Sequence, residues 1–316
     1  MRRVWIDTDM GFDDLAAVLT IAASPDLSIA GLSLVAGNAP LDVVADNAAR
    51  AAALFGWKMP IHRGRDRPIE RTLVTAAYVL GADAMPTADK TLPKQVAGLA
   101  SMDGISALIA ELDRSGEALT ILALGPLTNI AVALLARPDL ASRIERVVWM
   151  GGSAGRGNHT ASAEFNAAVD PEAVQIVLNA GVPFKMIGLD VCRQVQVTGE
   201  DADRLRNVGG EIAHILADLL AGYVGIARRR GGTFMALYDP TAAAALVEPG
   251  SVTCKPAHLA VECTDVLTQG KTIVEWQVPE HGSANAEVAV IADAAAVRRI
   301  VLDALAVAAG LKAKLA

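Results

Sequence analysis

Short apolar segments alternate with longer amphipathic segments along the first two thirds of the chain. A short apolar run between turn residues is typical of a buried strand, whereas apolar residues spaced three and four apart are typical of a helix. We predict strands at residues 4–6, 29–35, 60–63, 119–124, 146–150 and 184–187. We predict helices at residues 13–23 and 40–55, after the Gly-Pro pair at 125–126 as far as residue 136, and from residue 171 onwards.

The last third of the chain is less regular. A long helix is predicted at residues 211–229, followed by strands at 258–263, 272–276 and 287–291 and a terminal helix from residue 293. No linker or internal repeat interrupts the pattern. Because strands that alternate with helices form parallel sheets, we predict an α/β fold. Its core is an open, mostly parallel, Rossmann-like sheet flanked by helices, in a single domain spanning residues 1–316.

Polar residues cluster directly after several of the predicted strands, at residues 7–14, 37–38 and 151–166, and again at 238–239. In open α/β sheets, ligands bind outside the carboxyl ends of the strands. These polar clusters are therefore the candidate site.

The first cluster contains four aspartates within eight residues, Asp7, Asp9, Asp13 and Asp14. Asp7 and Asp9 share one side of an extended chain, and Gly11 permits a tight turn before the helix. A helix N-terminus favours one or two carboxylates, but four at close range repel one another. A hard divalent cation with oxygen ligands is the natural partner of such a group.

Composition narrows the class of protein. The chain has 28 Lys+Arg against 35 Asp+Glu, a net charge of −7, and 53% hydrophobic residues. The apolar fraction excludes a disordered chain, and the acidic balance argues against binding to nucleic acid or to anionic membranes. No apolar run reaches the roughly 18 residues of a membrane span, and Asp7 follows Arg2-Arg3 too closely for a signal peptide. We therefore expect a cytoplasmic protein.

The three cysteines have no CxxC spacing, so we expect reduced thiols; a disulfide between Cys254 and Cys263 stays open.

Two other motifs begin with similarly spaced aspartates. An EF-hand loop needs Gly at its sixth position and Glu at its twelfth, where this chain has Phe12 and Val18. A haloacid-dehalogenase-like phosphatase also begins with a strand and Asp-x-Asp. That alternative accounts for Asp7 and Asp9 but not for the Asp13-Asp14 pair.

The stretch Asp-Thr-Asp-Met-Gly-Phe-Asp-Asp at residues 7–14 resembles the signature of the inosine-uridine-preferring nucleoside hydrolases. Further matches follow in the family's order along essentially the whole chain. They are Val-Ala-Gly-Asn at 35–38, Leu-Gly-Pro-Leu-Thr-Asn at 124–129, Met-Gly-Gly at 150–152, Gly-Asn at 157–158, Ala-Glu-Phe-Asn at 163–166, Asp-Pro at 170–171 and Tyr-Asp-Pro-Thr-Ala at 238–242.

This resemblance implies a Ca²⁺ site and a reaction. Asp9, Asp14, Asp239 and the backbone carbonyl of Leu124 would bind Ca²⁺, and Asp9 would also act as general base towards a water on the metal. The reaction would be hydrolysis of the N-glycosidic bond of ribonucleosides to ribose and free base. Such a reaction passes through an oxocarbenium-like transition state, which carboxylates and amide oxygens stabilise. Asp7 would be a supporting residue.

The resemblance also implies contacts with the sugar. Asp13, Asn38 and Asn166 would hold the 2′- and 3′-hydroxyls, Asn158 and Glu164 would hold the 5′-hydroxyl, and Met150 would lie beside the ribose. Asn166 would also take part in catalysis. Hydrogen-bonding residues of this kind reject sugars that lack a hydroxyl.

The chain departs from the family at two histidine positions. Many members carry a histidine just before the late aspartate, as acid for the departing base, and here that position is Tyr238. A second family histidine aligns with Tyr78. None of the five histidines of the chain occupies a matching place: His62, His159, His214, His258 and His281. Tyr238 is therefore the candidate acid, with stacking on the base or no role in the reaction as the alternatives, and Tyr78 is a candidate base contact or acid.

The leading hypothesis is a Ca²⁺-dependent nucleoside hydrolase that acts as a homodimer or homotetramer. The metal-dependent phosphatase is the enzymatic alternative. A nucleoside- or sugar-binding protein that has lost the leaving-group acid is the non-enzymatic one.

Overall fold

The computed structural model describes residues 1–114, 118–277 and 283–310 of the chain. Its strands are β1 (Arg2–Thr8), β2 (Leu27–Leu34), β3 (Ile61–Arg63), β4 (Leu119–Ala123), β5 (Ile144–Met150), β6 (Phe184–Ile187), β7 (Gln196–Thr198), β8 (Phe234–Ala236), β9 (Val252–Val261), β10 (Thr272–Glu275) and β11 (Ala286–Ala292). Its helices are α1 (Phe12–Ala22), α2 (Leu41–Phe55), α3 (Ala77–Leu80), α4 (Gly104–Asp113), α5 (Thr128–Ala136), α6 (Phe165–Val169), α7 (Pro171–Asn179), α8 (Leu189–Cys192), α9 (Gly199–Arg206), α10 (Glu211–Arg228), α11 (Asp239–Val247) and α12 (Ala294–Ala308). Single 3₁₀ turns lie at Pro138–Arg143 and Pro249–Ser251.

Nine strands form one sheet in the order β10-β9-β11-β6-β5-β4-β1-β2-β3. The strands from β11 to β3 are parallel, and β9 and β10 add an antiparallel edge. A separate two-stranded sheet joins β7 to β8. The predicted fold class, an open and mostly parallel sheet flanked by helices, is confirmed.

Helices cover both faces of the sheet, so its central strands are apolar on both sides. In β1, Val4 and Ile6 pack into the core that includes α1, whereas Trp5 points into the core on the opposite face. Helix α1 packs against α11 and α12 as well as β2, which explains why nearly all of its residues are buried.

The chain reverses its direction of travel across the sheet next to β1. It runs from β1 outwards through β2 to β3, and then returns to the other side of β1 with β4. Such a switch leaves a crevice at the carboxyl ends of the two neighbouring strands, which is where open α/β sheets bind ligands. Asp9 follows β1 and Leu124 follows β4, so both lie at this crevice.

The predicted strands and long helices are present, with ends that differ by a few residues. Strand β9 begins at Val252 rather than at residue 258, because its first half is half exposed and contains Pro256, which obscures the apolar pattern. The region from 151 to 171, predicted as a loop, contains α6, whose N-terminus is capped by Glu164. Cys254 and Cys263 are not bonded to each other, since all three cysteines are free.

Within the described part of the chain, no helix is long and apolar enough to cross a bilayer.

Candidate active site

A cleft opens at the carboxyl ends of β1, β2, β4 and β5. Its empty volume is about 730 Å³, the open mouth included, which is in the range of small-molecule sites. The predicted site residues that line it are Asp9, Asp13, Asn38, Tyr78, Leu124, Met150, Asn158, Glu164, Asn166, Tyr238 and Asp239. Asp14, the remaining predicted residue, is fully buried next to them.

Asp14 is held by the turn that joins β1 to α1. The Thr8 hydroxyl donates to Asp14 Oδ1 at 2.6 Å, and the Gly11 backbone N–H donates to Asp14 Oδ2 at 2.8 Å. Met10, which lies between Thr8 and Gly11, has a φ of +27°, a backbone conformation that residues other than glycine rarely adopt. The turn therefore fixes the Asp14 carboxylate at the start of α1, in a tightly restricted geometry.

Asp9 is held from the other side by the loop after β2. The backbone N–H and the side-chain amide of Asn38 donate to the two Asp9 carboxylate oxygens at 2.7 and 3.0 Å. The same amide also donates to Asp14 Oδ2 at 3.1 Å. A Cβ added at Gly37 would lie 2.1 Å from Asp9 Oδ2, so this close approach requires glycine. Asn38, predicted as a ribose contact, thus also bridges two of the carboxylates.

A group of three carboxylates is close enough to hold one metal ion. Oxygens of Asp13, Asp14 and Asp239 lie within 4.8 Å of one another. The family resemblance assigns Asp9 to the metal and Asp13 to the ribose. In the structure, Asp13 joins the closest group of carboxylates, and Asp9, held by Asn38, lies outside that group of three. Asp239 reaches the group from the first turn of α11.

These carboxylates are a cluster of negative charge in a poorly solvated place. Burial raises the pKa of Asp9, Asp13, Asp14 and Asp239, and the charge of Asp14 raises the pKa of the other three further. For Asp13 the pKa rises to about 7. Ionising all four groups together is unfavourable unless a positive charge joins them, so the donor set fits a divalent cation.

Asp7 supports this cluster without lining the cleft. The Ser33 hydroxyl and the Asn129 amide, the latter at 2.7 Å, donate to its Oδ1. Its Oδ2 is buried and has no hydrogen-bond partner among the described residues. Burial raises the Asp7 pKa to about 7. A carboxylate enclosed in this way cannot reach a substrate in the cleft.

The opposite wall is built by the segment that leads into α6. The Asn166 side chain donates to the carbonyl oxygens of Leu124 and Met150 at 2.8 and 3.0 Å. The Glu164 carboxylate accepts from the backbone N–H groups of Gly152, Asn166 and Ala167 at 2.9 to 3.1 Å. Glu164 thus shapes the wall by capping a helix, and burial raises its pKa to about 7.

Asn158 lies at the rim of the same wall. Its side-chain oxygen accepts from the Phe165 backbone N–H at 2.9 Å, which leaves its amide N–H groups available to a ligand.

The lining of the cleft also includes mostly apolar residues that sequence reasoning missed. They are Ala76, Val79, Leu80, Phe165, Tyr223, Arg230 and Met235. Tyr223 lies on the apolar stripe of α10 and therefore looked like a core residue, although its hydroxyl is 3.3 Å from Asp13 Oδ2. Arg230 belongs to a run of three arginines at the end of α10, which reads as a solvated helix end.

The two tyrosines at the family's histidine positions differ in environment. Tyr238 is largely enclosed, and burial raises its pKa to about 12. Tyr78, on α3, is 64% exposed at the rim, and its hydroxyl lies 3.3 Å from His159 Nδ1. His281 lies outside the described residues, and none of the other histidines lines the cleft.

Comparison with known proteins gives a consistent result. The family model described as inosine-uridine preferring nucleoside hydrolase matches residues 4–299. The pyrimidine-specific ribonucleoside hydrolase RihA of Shewanella woodyi is 36% identical over 290 residues, which cover 91% of this chain and 92% of the relative. RihA of Citrobacter koseri is 35% identical, over 92% of this chain and 93% of the relative.

Solved structures agree with the sequence relatives. The purine-preferring ribonucleoside hydrolase from Gardnerella vaginalis superposes with a TM-score of 0.91 at 26% identity, over 98% of this chain and 99% of that one. The order of the motifs, the cleft they line and these relatives together lead to one assignment: this chain belongs to the inosine-uridine preferring nucleoside hydrolase family and is a hydrolase of N-glycosyl bonds.

Proposed function

We propose that the protein hydrolyses the N-glycosidic bond of ribonucleosides in a Ca²⁺-dependent reaction, with pyrimidine ribonucleosides as preferred substrates. The observation that carries the proposal is a cluster of four carboxylates, three of them buried, at the same cleft as several amide side chains. Carboxylates at this density suit a cation and a sugar diol, whereas the apolar and aromatic residues of the lining suit a base.

Ca²⁺ is the cation that this donor set suits best. Ca²⁺ accepts six to eight oxygen ligands in flexible geometry, which carboxylates, a carbonyl and sugar hydroxyls can supply together. We assign Asp9, Asp14, Asp239 and the Leu124 carbonyl as ligands, and the position of Asp13 adds it as a fourth carboxylate near the ion. Bound there, Ca²⁺ would orient the diol and lower the pKa of a water molecule.

The protein's own groups perform the rest of the reaction. Asp9, fixed by Asn38, accepts the proton of the attacking water. Asp13 and Asn166 hold the 2′- and 3′-hydroxyls, and Asn158 and Glu164 hold the 5′-hydroxyl. Positive charge that develops on the ribosyl group is stabilised by the nearby carboxylates and amide oxygens. Met150 packs beside the sugar.

The proposed base preference rests on a cationic side chain in the lining of the cleft. Among the described residues that line it, Arg230 carries the only permanent positive charge. A guanidinium only donates hydrogen bonds, so it favours carbonyl oxygens over amino groups. This agrees with the specificity of the 36% identical relative from Shewanella woodyi, a pyrimidine-specific ribonucleoside hydrolase.

The phosphatase alternative lacks a reachable nucleophile. It would use Asp7, the first residue of the Asp-x-Asp pair, which is fully buried between Ser33 and Asn129 and does not line the cleft. The binding-protein alternative keeps the same cleft and differs only in lacking turnover, which an activity assay decides.

A substrate panel tests the proposal. Purified protein with Ca²⁺ is incubated with uridine, cytidine, inosine, adenosine and 2′-deoxyuridine, and the released sugar is measured. We expect the highest kcat/KM with uridine and a value at least about 10-fold lower with adenosine. With 2′-deoxyuridine we expect kcat/KM to fall by about 10²-fold or more, because the groups that bind the 2′-hydroxyl are then left unpaired. Phosphate release from uridine 5′-monophosphate without any sugar release would support the phosphatase instead.

The homo-oligomeric state and the cytoplasmic location expected from the sequence stay predictions.

A further inference from the structure

The departing base needs a proton, and the histidines that many relatives place near the base are absent here. As the glycosidic bond breaks, its electron pair remains on the base, which leaves most readily when it is protonated at the same time. The chain has three tyrosines, Tyr78, Tyr223 and Tyr238, and all three line the cleft. The question is which of them can give up a proton and recover it.

Two of the three are poorly suited to this task. The Tyr223 hydroxyl is fully buried and donates to the Ala236 carbonyl at 2.9 Å, with Asp13 3.3 Å away. The Tyr238 hydroxyl lines the cleft but forms no hydrogen bond with any described residue that could return a proton to it. Tyr223 and Tyr238 therefore shape the cleft without acting as the acid.

Tyr78 has a neighbouring side chain, His159, that can return a proton to its hydroxyl. Its hydroxyl lies 3.3 Å from His159 Nδ1, and the two ring centres are 6.4 Å apart. The pair joins α3 to the loop that carries Asn158, although the two residues are 81 positions apart in sequence. Tyr78 lines the cleft whereas His159 does not, so the histidine can contact a ligand in the cleft only through the tyrosine.

His159 is held in place on its own side. Its backbone N–H donates to the Ala163 carbonyl at 3.1 Å, and its ring meets the Phe165 ring edge-on at 5.5 Å between centres. A Cβ at Gly157 would lie 2.1 Å from the Ala163 oxygen, so the tightness of this loop depends on glycine. Burial lowers the pKa of His159, which favours the neutral imidazole that can both give and take a proton.

We propose that Tyr78 is the proton donor to the departing base and that His159 is the positioning residue that restores its proton; this rests on the proposed function. The Tyr78 Oη–H proton passes to the base as the C1′–N bond breaks and its electron pair stays on the base. The His159 Nδ1–H proton passes to the Tyr78 oxygen as solvent protonates His159 Nε2, and proton exchange with solvent then converts the Nε2–H tautomer back to the Nδ1–H tautomer before the next turnover. The proton that Asp9 takes from the attacking water goes to solvent, so the hydrolysis balances.

The test compares two substrates that differ in their need for an acid. Uridine requires protonation of its base, whereas 4-nitrophenyl β-riboside releases a phenolate that leaves as a stable anion. Tyr78→Phe, His159→Gln and the double variant are assayed on both, with His214→Gln as the matched control. Gln can still hydrogen-bond to Tyr78 but cannot pass on a proton. His159→Ala is assayed with and without added imidazole.

We expect each single variant to lower kcat on uridine by about 10²-fold, with KM within a few-fold of the wild-type value. The double variant should be no worse than either single one, since the pair acts as a unit. Turnover of the nitrophenyl riboside should be unchanged, the control should match the wild type, and imidazole should restore part of the activity of His159→Ala.

Equal losses on both substrates, or unchanged uridine turnover in the variants, would overturn the role of this pair. The wild-type protein separates that outcome from a failure of the proposed function. If it cleaves neither substrate, the nucleoside hydrolase proposal fails and the pair fails with it. If it cleaves both while the variants behave like it, only the pair is contradicted.

Discussion

Replacing Asp9 with Asn is expected to lower kcat on uridine by about 10³-fold while leaving the protein folded. Asn has the shape of Asp, and its side-chain oxygen can still accept from the Asn38 backbone N–H that now donates at 2.7 Å. It cannot accept a proton from water, and it brings no negative charge to the cation. The measurement is steady-state kinetics at saturating Ca²⁺, with the exposed Asp26→Asn as the matched control.

Although the same substitution is expected to lower activity, it is not expected to lower the stability of the metal-free protein. Burial and the charge of Asp14 raise the Asp9 pKa, so the ionised carboxylate is unfavourable in the metal-free protein. A neutral amide removes that repulsion, at the cost of one hydrogen bond to the Asn38 side chain, about 1 kcal/mol. We expect the Tm of the metal-free variant to equal or exceed that of the metal-free wild type. A Tm several degrees lower, or retained turnover, would contradict the role given to Asp9.

Removing Ca²⁺ is expected to lower the Tm, and to lower it more at alkaline than at acidic pH. A ligand at 100 times its Kd stabilises the folded state by about 2.7 kcal/mol, which for a domain of this size is a shift of roughly 5 °C. The measurement is thermal unfolding with Ca²⁺ and with a chelator, between pH 5 and pH 8.

The sign of the pH dependence follows from the raised pKa values. A carboxyl whose folded pKa exceeds its unfolded value of 3.8 contributes stability that is fully present below that value and is lost as pH rises through the folded pKa, about 7 for Asp13. The metal-free protein should therefore lose stability from pH 5 to pH 8, and Ca²⁺ should cancel most of that loss. Asp239→Asn should reduce the Ca²⁺-dependent shift, whereas Asp26→Asn should not. A Ca²⁺ effect independent of pH would argue against binding at this cluster.

The sheet could be predicted from sequence because its strands are short, apolar and separated by clear turns. Residues 4–6 and 119–124 are almost all apolar, so burial in the core is favourable for them, and they form interior strands of the sheet. The short helices α3 and α6 could not be predicted. They hold four and five residues, and α6 forms because the Glu164 side chain caps it, which depends on the fold of the loop before it.

The site could be predicted as a set but not in its internal arrangement. The motifs at strand ends converge because parallel strands end at one edge, and the residues implied by the family resemblance line one cleft. The turn at Met10 and the hydrogen bonds from Asn38 to Asp9 and Asp14 determine which carboxylates lie closest to one another. Neither feature has a recognisable sequence pattern. The contact between Tyr78 and His159 depends on how two segments far apart in sequence pack together, so it could not be predicted from one sequence.

Release of ribose from a nucleoside is proposed to depend on a cation held by the clustered carboxylates of this chain. The most direct measurement follows ribose released from uridine by purified protein that is assayed with Ca²⁺, then with excess chelator, and then with Ca²⁺ restored. We expect release in the first assay, loss in the second and recovery in the third. Release at the same rate throughout, or no ribose under any of the three conditions, would contradict it.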